Sequence, residues 1–171
     1  MKKVILFALI ISVFGIQKSF AQNYKTKADY QAAEPEVIKH IKWLVEHPYP
    51  NNDDRKSAER FVIMWLTGCP YMFVTVDEKV VGAIQTPSYK YGGQLSNTYT
   101  FGKVQYKLEH PGDNNPLFAA QQGVKNVIAA YKILVKADPE AKNSGAENLI
   151  TLSNDPDPKK LQNFILIGIK E

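Results

Sequence analysis

The sequence predicts a mainly α-helical protein, a single-domain bundle of five or six helices, and three observations lead to this prediction. Apolar residues recur at a spacing of three and four in several long segments, whereas strict alternation is confined to short ones. Proline or glycine follows most of these segments, where such residues end helices. No long linker or low-complexity tract divides residues 22–171, which we therefore assign to one helical domain.

The chain begins with the three parts of a secretory signal peptide. Met1-Lys2-Lys3 is positively charged, Val4 to Ile16 is apolar, and Ser19-Phe20-Ala21 is a small-x-small cleavage site. The apolar run is short for a membrane span and has no stop-transfer flank, which disfavours an uncleaved anchor. We therefore predict a signal peptide over residues 1–21 and a periplasmic or secreted protein.

Removal of this signal peptide changes the charge of the protein. The whole chain has 21 Lys and Arg against 17 Asp and Glu. Lys2, Lys3 and Lys18 precede the cleavage site and no acidic residue does, which leaves 18 cationic residues against 17 acidic ones. A nearly neutral protein offers no electrostatic attraction for nucleic acid, so we predict no nucleic-acid partner. The apolar run is removed with the signal peptide, so we also predict no membrane span after cleavage.

The first predicted helix forms an antiparallel hairpin with the second. Pro35 suits a first helical position, and the helix stops at His47-Pro48. The short turn that follows places Trp43 and Trp65 near the packed interior of the hairpin. The apolar stripe of this first helix consists of Val37, Ile38, Ile41, Leu44 and Val45.

The second predicted helix, Ser57–Thr67, is the element around which the core is expected to form. Ile63 and Met64 widen its apolar stripe until little of the circumference faces water, which is typical of a buried helix. Asp53 and Asp54 precede it as caps.

Residues 70–110 leave two interpretations open. Phe73–Val76 and Lys79–Val81 predict either a small β-hairpin or a loop followed by a short helix. Residues 94–109 show both a helical and an alternating period, and the helical surroundings favour a helix. The alternative fold class is therefore α+β with short hairpins in residues 70–110.

The remaining residues predict further helices. Asn114 or Asn115 caps a helix over Leu117–Lys136, in which Gly123 costs about 1 kcal/mol relative to Ala and therefore indicates a close helix crossing. A weaker helix covers Glu140–Leu152. A last short helix follows, although Phe164–Ile167 is also compatible with an edge strand.

Cys69 is the only cysteine, so the chain cannot form an internal disulfide. It follows a helix C-terminus, whose negative end disfavours a thiolate, unless Pro70 begins a new helix that Cys69 caps. A buried structural thiol is the favoured interpretation. A hydrolase-like or redox enzyme using Cys69 is the alternative.

We predict no metal site, no cofactor and no catalytic residues. His40 and His47 lie about 10 Å apart along one helix, too far for one ion. Three Asn- and Asp-rich segments resemble fragments of a calcium loop but lack its Gly and distal Glu, so that helix capping is the favoured interpretation. These segments are 51–54, 113–115 and 154–157.

Aromatic residues are frequent in the middle of the chain, and Tyr89 and Tyr91 are the predicted binding residues. The turn around Gly92-Gly93 is expected to expose both rings, and tyrosine is favoured at interfaces. The competing interpretation is that these rings pack in the core with their hydroxyls in water.

Several segments resemble a group of small exported bacterial helical proteins of unknown function. They are Trp43-Leu44, Phe61 to Pro70, Val74-Thr75-Val76 and Gly123 to Tyr131. The resemblance implies an exported helical protein and carries no catalytic motif. We therefore expect a non-enzymatic protein that binds an envelope or secreted protein or a small ligand. The alternatives are the enzyme using Cys69 and a structural or stress-related envelope protein.

Overall fold

The computed structural model describes residues 24–170, and within this range the chain forms seven α-helices and one short 3-10 helix. The helices are α1 (Lys27–Glu46), α2 (Asp53–Gly68), α3 (Glu78–Ile84), α4 (Gly92–Glu109), α5 (Pro116–Ala137), the 3-10 helix (Pro139–Ala141), α6 (Ser144–Ser153) and α7 (Lys159–Lys170).

The predicted fold class is confirmed, since 73% of the described residues are helical and none of them forms a strand. The predicted count of five or six helices is too low. The alternative α+β fold with hairpins in residues 70–110 is wrong, as is the edge strand at Phe164–Ile167, which belongs to α7. The predicted signal peptide over residues 1–21 lies outside the described range.

Helix α1 begins before Pro35, which lies inside the helix rather than at its first position. The earlier start comes from a capping box. The Thr26 hydroxyl accepts the Asp29 backbone N–H at 3.3 Å, and the Asp29 carboxylate accepts the Thr26 N–H at 2.7 Å.

Helix α2 is less buried than predicted, because it packs mainly against α1 on one side. Ile63 is 41% exposed and Met64 is 55% exposed, so the prediction that they face the interior is wrong. Its N-cap is Asn52, whose side chain accepts the Arg55 N–H at 3.0 Å, rather than Asp53 or Asp54. The buried apolar face consists of Ala58, Phe61, Val62 and Trp65.

Helices α4 and α5 form the most extensive helix–helix contact among the described residues. A Cβ added to Gly102 would lie 2.6 Å from the Gly123 Cα, and one added to Gly123 would lie 2.6 Å from the Tyr99 ring. Only glycine allows the two backbones to approach this closely. The close crossing predicted at Gly123 is therefore confirmed.

The loop between α2 and α3 is held by side chains of α4 instead of by a second strand. The Lys103 ammonium lies 2.7 Å from the Thr75 carbonyl oxygen and 2.5 Å from the Asp77 carboxylate, which also accepts the Tyr99 hydroxyl. Lys103 is 2% exposed and Asp77 is 1% exposed. Lys107 donates to the Phe73 carbonyl at 2.6 Å. Because α4 provides these partners, the extended segment needs no strand pairing.

Candidate functional site

An open pocket of about 560 Å³, which we call the α1–α2 pocket, lies between helices α1 and α2 and is also lined by Tyr24, which precedes α1. This volume lies within the range of about 300–1,000 Å³ that is typical of small-ligand sites. Most of its wall is apolar, and the wall contains four aromatic rings, one methionine and several polar side chains. The aromatic and sulfur-containing lining residues are Tyr24, Tyr30, Trp43, Phe61 and Met64.

Side chains from both helices form the wall of the pocket. On α2, Ala58, Phe61 and Met64 follow one another at a spacing of three and therefore share a face. On α1, the His40 ring centroid lies 4.5 Å from that of Phe61. Trp43 lies one turn further along α1 on the same side.

Two hydrogen bonds connect α1 to α2 and to the residues that follow α2. The Trp65 indole N–H donates to the Tyr30 carbonyl oxygen at 3.0 Å, and Trp65 itself is fully buried. The Tyr71 hydroxyl donates to the Glu34 carboxylate at 2.7 Å. The first of these hydrogen bonds fixes Tyr30, which lines the pocket, relative to α2.

Three charged side chains line the pocket: Lys39 on α1, and Asp54 and Arg60 on α2. All three are exposed, and none of them forms an ion pair with another residue in the range 24–170. Burial lowers the pKa of His40, although the nearby Glu36 carboxylate opposes this shift. The imidazole is therefore mainly neutral at neutral pH, and the described lining carries a net charge of +1.

The predicted binding residues Tyr89 and Tyr91 lie at a different place, where the segment before α4 meets the end of α5. Tyr91 is only 8% exposed and its hydroxyl donates to the Asp138 carboxylate, so the exposure expected for Tyr91 is wrong. Tyr89 is half-buried and donates to the Ala141 carbonyl at 2.6 Å. Both rings join segments about 50 residues apart. Their binding role stays a prediction.

The same contact perturbs Asp138. The Tyr91 hydroxyl bond and the Lys90 ammonium at 2.9 Å lower the pKa of Asp138 to about 2. A carboxylate stabilised in this way remains charged and anchors the loop.

Cys69 is buried at the C-cap of α2, and Pro70 does not begin a helix. Of the two environments considered from the sequence, the structure therefore has the one at a helix C-terminus. A buried thiol at the negative end of a helix is poorly suited to act as a nucleophile.

The described residues hold no group of three or more His, Cys, Asp or Glu side chains suited to a metal ion. His47 instead stacks on the Trp43 ring with a centroid distance of 4.5 Å. The three Asn- and Asp-rich segments cap α2, α5 and α7, as predicted, through Asn52, Asn115 and Asp157.

Sequence reasoning missed the α1–α2 pocket because it treated Phe61, Met64 and Trp43 only as candidates for the core. Periodicity indicates which residues are apolar but does not show whether two facing helices close completely. The sequence feature that could have indicated the pocket is the position of Lys39 and His40 beside the apolar stripe of α1.

No helix within residues 24–170 has both the length and the apolar character needed to cross a bilayer. No family model, no curated protein and no solved structure matches the chain.

Proposed function

We propose that this protein is a non-enzymatic, exported binding protein of the cell envelope that holds a small ligand in the α1–α2 pocket. One observation carries the proposal: a pocket of ligand size with aromatic walls lies open between two helices. Export rests on the signal peptide predicted over residues 1–21 and on the resemblance to small exported helical proteins.

The two alternative functions have less support. An enzyme using Cys69 requires an accessible thiolate, whereas this thiol is buried. A purely structural envelope protein has no need for an open aromatic pocket. A protein partner would also fit an exported binding protein, but the concave shape of the site favours a small molecule.

The binding proposal can be tested with N-phenyl-1-naphthylamine, a neutral aromatic dye that fluoresces in apolar surroundings. The exported protein, purified after secretion, should bind the dye saturably with one molecule per chain. Ser57→Phe places a ring in the wall of the pocket and should weaken binding about tenfold. Lys56→Phe is the matched control, because Lys56 is also exposed on α2 but does not line the pocket.

Either of two results would contradict the binding proposal. One is the absence of saturable binding of this dye and of its sulfonated analogue described below. The other is an equal loss of binding in Ser57→Phe and Lys56→Phe, which would place the dye elsewhere.

Export has its own test. Mass spectrometry of the protein from the periplasm or medium should find a chain that begins at Gln22. An uncleaved chain confined to the cytoplasm would contradict this half of the proposal.

A further inference from the structure

We infer that the ligand of the α1–α2 pocket is an amphipathic organic acid, whose apolar body lies on the aromatic wall and whose anionic group lies at Lys39 and Arg60. This inference rests on the proposed function and specifies the chemical class of the ligand. It follows from the distribution of apolar surface and charge around a single pocket.

The apolar part of the ligand is indicated by the wall. Tyr30 and Trp43 provide partly exposed ring surface, which an apolar or aromatic body would remove from water. Met64 is flexible and 55% exposed, and it can therefore adapt to the outline of a bound molecule.

The acidic part of the ligand is indicated by the charges. Lys39 and Arg60 come from different helices and line the same pocket, and neither has a carboxylate partner among the described residues. A guanidinium binds a carboxylate or sulfonate through two parallel hydrogen bonds, and an ammonium adds a second positive charge. An anionic group on the ligand would give both cations the partner that the chain itself does not provide.

Asp54 carries a negative charge, so its removal should change the affinity for an anionic ligand in the opposite direction to removal of Lys39 or Arg60. It is the one carboxylate among the described residues that line the pocket. Its removal should therefore strengthen the binding of an anion, whereas removal of Lys39 or Arg60 should weaken it.

The experiment compares two dyes that share one aromatic body. N-phenyl-1-naphthylamine is neutral, and 8-anilinonaphthalene-1-sulfonate carries in addition a sulfonate. Wild-type exported protein should bind the sulfonate more tightly. Lys39→Gln and Arg60→Gln should each weaken sulfonate binding about threefold, and the double variant about tenfold. Asp54→Asn should strengthen it about threefold.

The neutral dye is the internal reference. Its affinity should change less than twofold in all of these variants, because no charge on the dye meets the altered residues. Arg60→Lys should retain much of the sulfonate affinity. Lys56→Gln is the control for general loss of positive charge from α2, because Lys56 does not line the pocket.

The inference is overturned if both dyes bind wild type equally, or if the charge variants change both dyes in parallel. In either case the neutral dye still reports a working pocket, so the proposed function would stand. If neither dye binds, the proposed function fails together with this inference.

Discussion

The crossing of α4 with α5 and the hairpin of α1 with α2 place side chains of opposite size between two helices. Gly102 and Gly123 bring the backbones of α4 and α5 into contact. Between α1 and α2, by contrast, Trp43 and Phe61 line a pocket of about 560 Å³. Small residues therefore bring one pair of helices into close contact, whereas aromatic residues line a pocket at the other pair.

The two regions also differ in the burial of their charged side chains. The α4 side buries the Lys103–Asp77 pair, which has hydrogen bonds to Tyr99 and Thr75. The α1–α2 pocket leaves its lysine and arginine exposed to water. An ion pair that is sealed in the interior organises a loop, whereas exposed cations without an ion pair remain available to a ligand.

The largest effect should come from breaking the buried pair. Lys103→Met leaves Asp77 charged and buried without its cation, and we expect a loss of about 3–5 kcal/mol in the free energy of unfolding. Arg60→Met, on the open side, should change this free energy by no more than about 0.5 kcal/mol. Urea titration followed by circular dichroism measures both.

A double variant tests whether the unpaired Asp77 charge causes the loss of stability in Lys103→Met. Lys103→Met combined with Asp77→Asn removes the unpaired charge and should recover part of the loss. A loss below about 1 kcal/mol for Lys103→Met would contradict the view that this pair is sealed from water.

An intermediate effect is expected at the helix crossing. Gly123→Ala places a methyl group 2.6 Å from the Tyr99 ring and 2.7 Å from the Tyr99 carbonyl oxygen. Overpacking should outweigh the gain of about 1 kcal/mol in helix propensity and give a net loss of about 2 kcal/mol in unfolding free energy. Gly93→Ala, where a Cβ meets nothing within 4 Å, should be neutral or slightly stabilising. Equal stability of the two variants would contradict the close contact.

The smallest change in stability is expected in the pocket. Met64→Ala should alter the free energy of unfolding by about 0.5 kcal/mol or less, because the side chain is half exposed. It should nevertheless weaken the neutral dye severalfold, because apolar wall is lost. A loss of stability comparable to that of a core truncation, about 2–5 kcal/mol, would show that this side is as closely packed as the other.

Much of the fold could be predicted from local patterns. The helix over Leu117–Lys136 and its Asn115 cap follow from apolar spacing and backbone capping within a few residues. Gly123 indicated a close crossing, because glycine lowers helix stability relative to Ala and is therefore expected where two backbones must approach closely. The start of α1 was missed although Thr26 and Asp29 have the spacing of a capping box in the sequence.

The candidate site could not be predicted in the same way. Tyr91 precedes two glycines in a predicted turn, a position that suggests exposure. In the folded protein its hydroxyl donates to the Asp138 carboxylate, which also pairs with the Lys90 ammonium. Met64 belongs to an apolar stripe, yet α2 has a packing partner on one side only. In both cases the outcome depends on residues that are distant in the chain.

The positions of the main helices follow from local sequence, because their hydrogen bonds and caps connect residues three or four positions apart. The tertiary structure alone decided which apolar faces are covered and which line a pocket. Coverage depends on how closely two helices pack. Glycines allow close contact at the α4–α5 crossing, whereas aromatic side chains line the pocket between α1 and α2.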